Sequence, residues 1–145
     1  MEGYFRLPEL TKERLKGGWV HTGDVGVMDA DGILTIVDRK SDMIVSGAEN
    51  VFPREVEDVL LQHPAIFEAA VVGTPDDLWG EVVRAGVTLK PDQAMTESEL
   101  IDFCRGRLAR YKAPRSITFL MQMPKNAMGK IERRAVRSHL VDALH

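Results

Sequence analysis

The stretch from Ile36 to Glu57, IVDRKSDMIVSGAENVFPREVE, constrains the fold more than any other part of this chain. A β-rich apolar run from Ile33 to Val37 stops at Asp38, Arg39, Lys40 and Ser41. A second apolar run, Met43 to Val45, then enters the small-residue turn Ser46-Gly47-Ala48. Pro53 opens a helix, because a proline at the first helical position gives up an amide that has no intrahelical acceptor anyway. Val56, Val59 and Leu60 follow at i, i+3, i+4 spacing and share one face. A polar joint between two apolar segments, followed by a turn that lets backbone approach closely, marks a mechanical element with structure on both sides.

The segments around it divide by period. Before the joint, Thr11 to Lys16 reads as a short helix capped by Thr11, and Val25–Met28 with Ile33–Val37 reads as a hairpin turning at Asp29-Ala30-Asp31-Gly32. After it, the helix from Pro53 runs to Gln62 and ends near His63-Pro64, since a residue before proline leaves the helical region. Ile66–Val72 and Val82–Leu89 are strand-like, with Gly73 to Gly80 as a loop between them. Thr96 and Glu99 have capping-box spacing and start a helix to about Arg110 with Leu100, Phe103, Cys104 and Leu108 inward. Ile117–Met121 is a further strand, and Ile131–Leu144 a last helix with Ala135, Val136, Leu140 and Leu144 inward. The order predicts an α+β fold: a small sandwich with a three-stranded sheet and packed helices, preceded by an antiparallel hairpin.

A chain of 145 residues buries roughly 70% of its unfolded surface, enough for one core without staples. The one cysteine, Cys104, has no intrachain partner and falls on the apolar helix stripe, so it reads as a buried thiol compatible with a reducing compartment. No apolar run approaches the roughly 20 residues of a membrane span, and MEGYFRLPEL lacks the basic and apolar regions of a signal peptide. The chain therefore reads as soluble and cytoplasmic. A net charge of -3 gives no global attraction to nucleic acid, so any anion site must be local. His21, His63, His139 and His145 show no metal-ligand spacing. Arg105, Arg107, Arg110, Lys112 and Arg115 crowd the end of a helix, where cations interact favourably with the dipole and could also receive phosphates.

Two motifs flank the central stretch: Gly18-Trp19-Val20-His21-Thr22-Gly23-Asp24 upstream and Pro124-Lys125-Asn126-Ala127-Met128-Gly129-Lys130 downstream. In this order and at these separations, the three resemble the carboxy-terminal portion of the adenylate-forming acyl-CoA synthetase family, nearly end to end, with the flavour of SDMIVSGAENVFP closest to fatty-acid-CoA ligases. The resemblance implies a hinge at Ser41, residues 1–40 as the tail of a large amino-terminal AMP-binding domain, and residues 41–145 as a mobile lid. The chain would then be a fragment. The family's phosphate loop and acyl pocket would lie in the missing amino-terminal domain, and no GxxxxGK[ST] or GxGxxG loop replaces them.

The same resemblance supplies roles. Asp24 would hold the ribose hydroxyls of ATP and of the adenylate, as a carboxylate accepting from a diol. Arg39 would touch the adenylate. Gly47, Ala48 and Glu49 would line the tunnel for the pantetheine arm of coenzyme A, and Arg110 and Arg115 would receive its phosphates. Lys130 would be the catalytic lysine, its ammonium offsetting the charge that builds as pyrophosphate leaves, with Mg²⁺ sharing that load on the ATP phosphates. Two positions depart from the family pattern: Ser41 replaces the usual aspartate or lysine of the hinge, and Ala48 stands where glycine is usual. The implied substrate is a carboxylic acid, read here as a fatty acid, with ATP and coenzyme A as cosubstrates and none of them tightly held by the fragment. Alternatives are an aryl-CoA ligase, a carrier-protein-loading adenylation enzyme, or a stand-alone coenzyme A-binding or interaction module without catalysis. The apolar residues of the first segment also predict self-association.

Overall fold

In the computed structural model, which describes residues 1–143, the chain divides into two compact units at the polar joint: Met1–Ser41, and a second that begins at Asp42. Leu144 and His145 lie outside the described residues. In the first unit, helix α1 spans Pro8–Arg14. It starts earlier than Thr11 because Pro8 takes the first helical turn. Thr11 lies inside the helix, donating its hydroxyl to Leu7 O at 2.8 Å and accepting from Tyr4 N at 2.9 Å.

Strands β1 (Asp24–Met28) and β2 (Leu34–Arg39) form the expected antiparallel ribbon. Its turn is built by the Asp29 carboxylate, which accepts from Asp31 N at 3.0 Å and Ile33 N at 2.8 Å, while Gly32 takes φ 81°. A bulge between Val25 and Gly26 shifts the register, so the open end pairs Asp24 with Arg39. No residue of this unit is buried, and Phe5, Trp19, Met28 and Ile33 are widely exposed.

In the second unit, β3 (Ile44–Ser46) and β4 (Glu49–Val51) form a short ribbon, α2 covers Pro53–Leu61, and β5 (Ile66–Asp76) and β6 (Gly80–Leu89) make a long hairpin. Helix α3 (Glu97–Arg105), strand β7 (Ser116–Phe119) and helix α4 (Arg133–Asp142) complete it. The sheet has five strands where three were expected. The predicted β5-β6-β7 centre is present, with β7 parallel to β6, and the β3–β4 ribbon joins it through the single pairing Ser46↔Gly80.

The predicted loop from Gly73 is mostly strand. Pro75 is tolerated there because β5 is an edge strand, and the actual turn is set by Asp76, whose carboxylate accepts from Leu78 N at 3.0 Å and Trp79 N at 3.1 Å.

The sheet buries both faces. Val71, Val83, Ala85 and Val87 pack under Val56 and Leu60 of α2 and Leu100 and Cys104 of α3. Ala70 and Val72 pack with Met123 and with Val136 and Leu140 of α4. Phe103, Leu108 and Ala135 are only half-buried. The capping box at Thr96 is complete: Glu99 N donates to the hydroxyl at 3.3 Å and the Glu99 carboxylate accepts from Thr96 N at 2.7 Å, which holds that carboxyl below its usual range. Helix α3 ends at Arg105 and not near Arg110, with Gly106 as its cap. Among the described residues no helix is long and apolar enough to cross a membrane.

Candidate functional site

The second unit contains an open pocket of about 620 Å³ at the meeting of the β3–β4 turn, the tip of the β5–β6 hairpin and the segment after α3. Gly47 fixes the turn to the hairpin tip. Its amide donates to Trp79 O at 2.8 Å, its φ is 64°, and a Cβ there would stand 3.1 Å from the indole ring. Glycine is thus favoured at Gly47 by the left-handed backbone, and a Cβ would also press on the indole. Ala48 has no such demand. It lies outside the positive-φ region, so the methyl group costs no backbone strain and simply forms part of the pocket wall with Ser46 and Glu49.

The far wall carries Arg105, Arg110, Tyr111 and Arg115. Arg105 pairs with Asp102 at 3.3 Å and Arg115 with Asp76 at 3.5 Å, whereas Arg110 has no carboxylate partner among the described residues. The other two cations of the cluster point to different work. Arg107 stacks 3.7 Å from the centre of the Phe103 ring, and Lys112 bonds Glu55 at 2.6 Å, which raises the ammonium's pKa. The pocket therefore offers an uncompensated guanidinium and exposed aromatic faces at Trp79 and Tyr111. Such a lining suits a ligand with a flat ring and anionic groups. Trp79 and Tyr111 were not singled out from sequence. The Asp76 turn that aims Trp79 was the available signal.

Lys130 lies outside the lining of this pocket, on an exposed loop between Lys125 and Ile131, which pair across its base. Its ammonium has no carboxylate within ion-pair distance among the described residues. In the first unit, the register that pairs Asp24 with Arg39 brings their side chains together, Arg39 Nε 3.7 Å from Asp24 Oδ1, with 71% and 31% of the side chains exposed. Gly23, at φ 82°, accepts Lys40 N at 2.8 Å and holds the end of the ribbon closed. Carboxylate and guanidinium side by side present acceptors for a diol and donors for an oxyanion. Ser41 is exposed at the boundary between the units. Among the described residues no group of three or more His, Cys, Asp and Glu side chains is placed to hold a metal ion.

Residues 55–130 match the model of the AMP-binding enzyme C-terminal domain. The chain belongs to this family. The 2-succinylbenzoate–CoA ligase of Bacillus cereus is 47% identical over 135 residues, which are 93% of this chain and 28% of that protein. The family member o-succinylbenzoate CoA synthetase of Bacillus subtilis, solved with the acyl-adenylate intermediate OSB-AMP, superposes with a TM-score of 0.88 at 42% identity over 94% of this chain and 28% of that one. An amide bond synthetase of Marinactinospora thermotolerans reaches a TM-score of 0.88 at 41% identity over 97% of this chain and 28% of its own. The chain thus spans little more than a quarter of the relatives it matches. The 2-succinylbenzoate ligases among these relatives act, by name, on an aryl acid, and this does not support the fatty-acid reading of the central stretch; the aryl alternative fits them better.

Proposed function

We propose that this chain is the carboxy-terminal part of an adenylate-forming ligase that joins an aryl acid of the 2-succinylbenzoate type to coenzyme A. The carboxylate attacks the α-phosphate of ATP, giving acyl-adenylate and pyrophosphate. The coenzyme A thiol then attacks the acyl carbon, giving the thioester and AMP. The observation that carries the reading is the high identity, sustained over nearly the whole chain, to 2-succinylbenzoate ligases. The geometry supports it through a pocket that combines aromatic faces with a free guanidinium.

In this reading Asp24 accepts from the ribose hydroxyls and Arg39 donates to the adenylate. Lys130 supplies positive charge where negative charge develops on the α-phosphate. Any Mg²⁺ enters with the ATP phosphates as part of the substrate. Gly47, Ala48 and Glu49 border the path of the pantetheine arm. Trp79 and Tyr111 offer stacking faces for the coenzyme's adenine, with Arg110 and Arg115 for its phosphates. Residues 1–40 complete the amino-terminal domain, 41–145 form the lid, and Ser41 is where it turns. The exposed apolar residues of the first unit are what a larger partner domain would cover.

The test supplies 2-succinylbenzoate, ATP and coenzyme A to the full-length protein and follows pyrophosphate release and the mass of the product. An aryl-CoA thioester is expected, whereas the 145-residue chain alone should release no pyrophosphate. Turnover of fatty acids with none of aryl acids would overturn the substrate reading. Failure to form an adenylate from any carboxylate would overturn the reaction. The amide bond synthetase relative makes an amine the rival acceptor, and an amide product that forms without coenzyme A would establish it.

A further inference from the structure

We propose that Asn126 is the positioning residue that sets the place of Lys130; this rests on the role proposed above for Lys130. The loop that carries the lysine is organised around this one side chain. Asn126 Oδ1 accepts from Met128 N and from Lys130 N, each at 3.0 Å. Its backbone closes the same loop, with Asn126 N donating to Lys130 O at 2.8 Å and Asn126 O accepting from Gly129 N at 2.9 Å. Gly129 takes φ 75°, the left-handed turn that lets the chain double back to these acceptors.

The root of the loop is fixed separately. Lys125 pairs with Ile131 across it, Glu132 N donates to Pro124 O at 2.9 Å, and Lys125 Nζ bonds Glu68 Oε1 at 2.6 Å. Met123 is buried just before the root, and Ile131 packs against the α4 side of the core just after it. Between root and tip no apolar side chain is buried, and the tip itself, from Ala127 to Lys130, is exposed. Packing therefore cannot hold the Lys130 backbone in place. Hydrogen bonds from Asn126 do so, and beyond its two backbone bonds the side chain ties the amide of Lys130 and the amide two residues before it to one oxygen. A lysine side chain has many rotamers, so the direction in which its ammonium reaches depends on a fixed Cα.

The experiment uses the full-length enzyme and separates the two half-reactions. Asn126→Ala removes the acceptor, and Asn126→Asp keeps it. Asn126→Ala should slow adenylate formation about 10- to 100-fold, as small misplacements of a catalytic group do. Its KM for ATP should hold, and thioester formation from supplied acyl-adenylate should stay within about twofold. Asn126→Asp should restore most of the lost rate. The double variant Asn126→Ala/Lys130→Ala should be no slower than Lys130→Ala alone, because Asn126 acts only through the lysine. If Lys130→Ala slows adenylation and Asn126→Ala does not, the positioning role is overturned while the role of Lys130 stands. If the two effects add in the double variant, or if Asn126→Ala slows both half-reactions alike, Asn126 has a general structural role and the proposal falls. If Lys130→Ala leaves adenylation unchanged, both readings fall together.

Discussion

Arg133→Met should destabilise the second unit strongly although Arg133 lies outside its apolar core. The Arg133 guanidinium forks onto the Glu57 carboxylate, with Nη1 on Oε1 and Nη2 on Oε2 at 3.0 Å. It also donates to Val71 O at 2.9 Å and lies 3.3 Å from Asp42. Glu57 in turn accepts Val71 N at 2.7 Å. This network joins α2, β5, α4 and the first residue of the second unit, and its carboxylate is nearly enclosed, with 13% of the Glu57 side chain exposed against 31% for Arg133.

Removing one partner of a buried pair costs about 3–5 kcal/mol, because the other charge stays behind without compensation. Water reaches the arginine side here, so about 2–4 kcal/mol is expected for Arg133→Met. The double variant Glu57→Met/Arg133→Met removes both charges and should cost clearly less than the sum of the singles, leaving mainly the Val71 amide and carbonyl unsatisfied, about 1–3 kcal/mol. Urea denaturation of the four proteins in the cycle, read by circular dichroism, gives these values from the midpoints. A loss under about 1 kcal/mol for Arg133→Met, or singles that simply add, would refute the argument that burial of Glu57 makes its partner indispensable.

Gly47→Ala should cost about 1–3 kcal/mol, from the left-handed backbone it must adopt and the indole it meets, while Ala48→Gly should change thermal stability little. In the complete enzyme, Arg110→Glu with Arg115→Glu should raise the KM for coenzyme A and leave that for ATP unchanged; equal effects on both would remove the pocket cations from coenzyme A binding. Burial pushes the Cys104 thiol up to about 11, partly opposed by Arg107, so native protein should resist alkylation near neutral pH. With the folded thiol's pKa above the unfolded one, this group's stabilising contribution is full below the unfolded value. It is lost as pH climbs through about 11, which an alkaline series of melting temperatures on Cys104→Ala and the parent would detect.

The elements with a strict period were legible in the sequence. The faces of α2, α3 and α4 follow from apolar spacing, and Thr96 and Glu99 announced their capping box. What escaped depended on partners distant in the chain or on side chains that bond to backbone. The β3–β4 ribbon read as a tight turn, because strands of three residues have too few alternations to declare a period. Asp76 concealed the end of β5 by making a turn within what composition marked as loop. Glu57 and Arg133 lie 76 positions apart, each on a helix where a charged residue is ordinarily solvated, and no spacing rule connects them. The cationic cluster after α3 looked uniform, yet only Arg105, Arg110 and Arg115 line the pocket; Arg107 and Lys112 are occupied by Phe103 and Glu55.

The candidate site residues share one manner of mounting. Asp24 and Arg39 stand opposite each other because a bulged ribbon forces that register, and Gly23 closes its end. Gly47 is bound through its amide to the backbone of Trp79, and Lys130 through its amide to the side chain of Asn126. In each case the residue is exposed, so burial contributes little to holding it, and a hydrogen bond to a neighbour of restricted conformation does the holding instead. Residues of this kind tolerate few substitutes, since glycine is demanded by a positive φ and asparagine by an acceptor that reaches two amides. Short runs such as Thr22-Gly23-Asp24, Ser46-Gly47-Ala48 and Asn126-Ala127-Met128-Gly129-Lys130 therefore each pair such a support with a candidate site residue. In the first and last of these runs the glycine or asparagine is the support and Asp24 or Lys130 is what it presents, while in the second Gly47 is itself the support and Ala48 is held beside it.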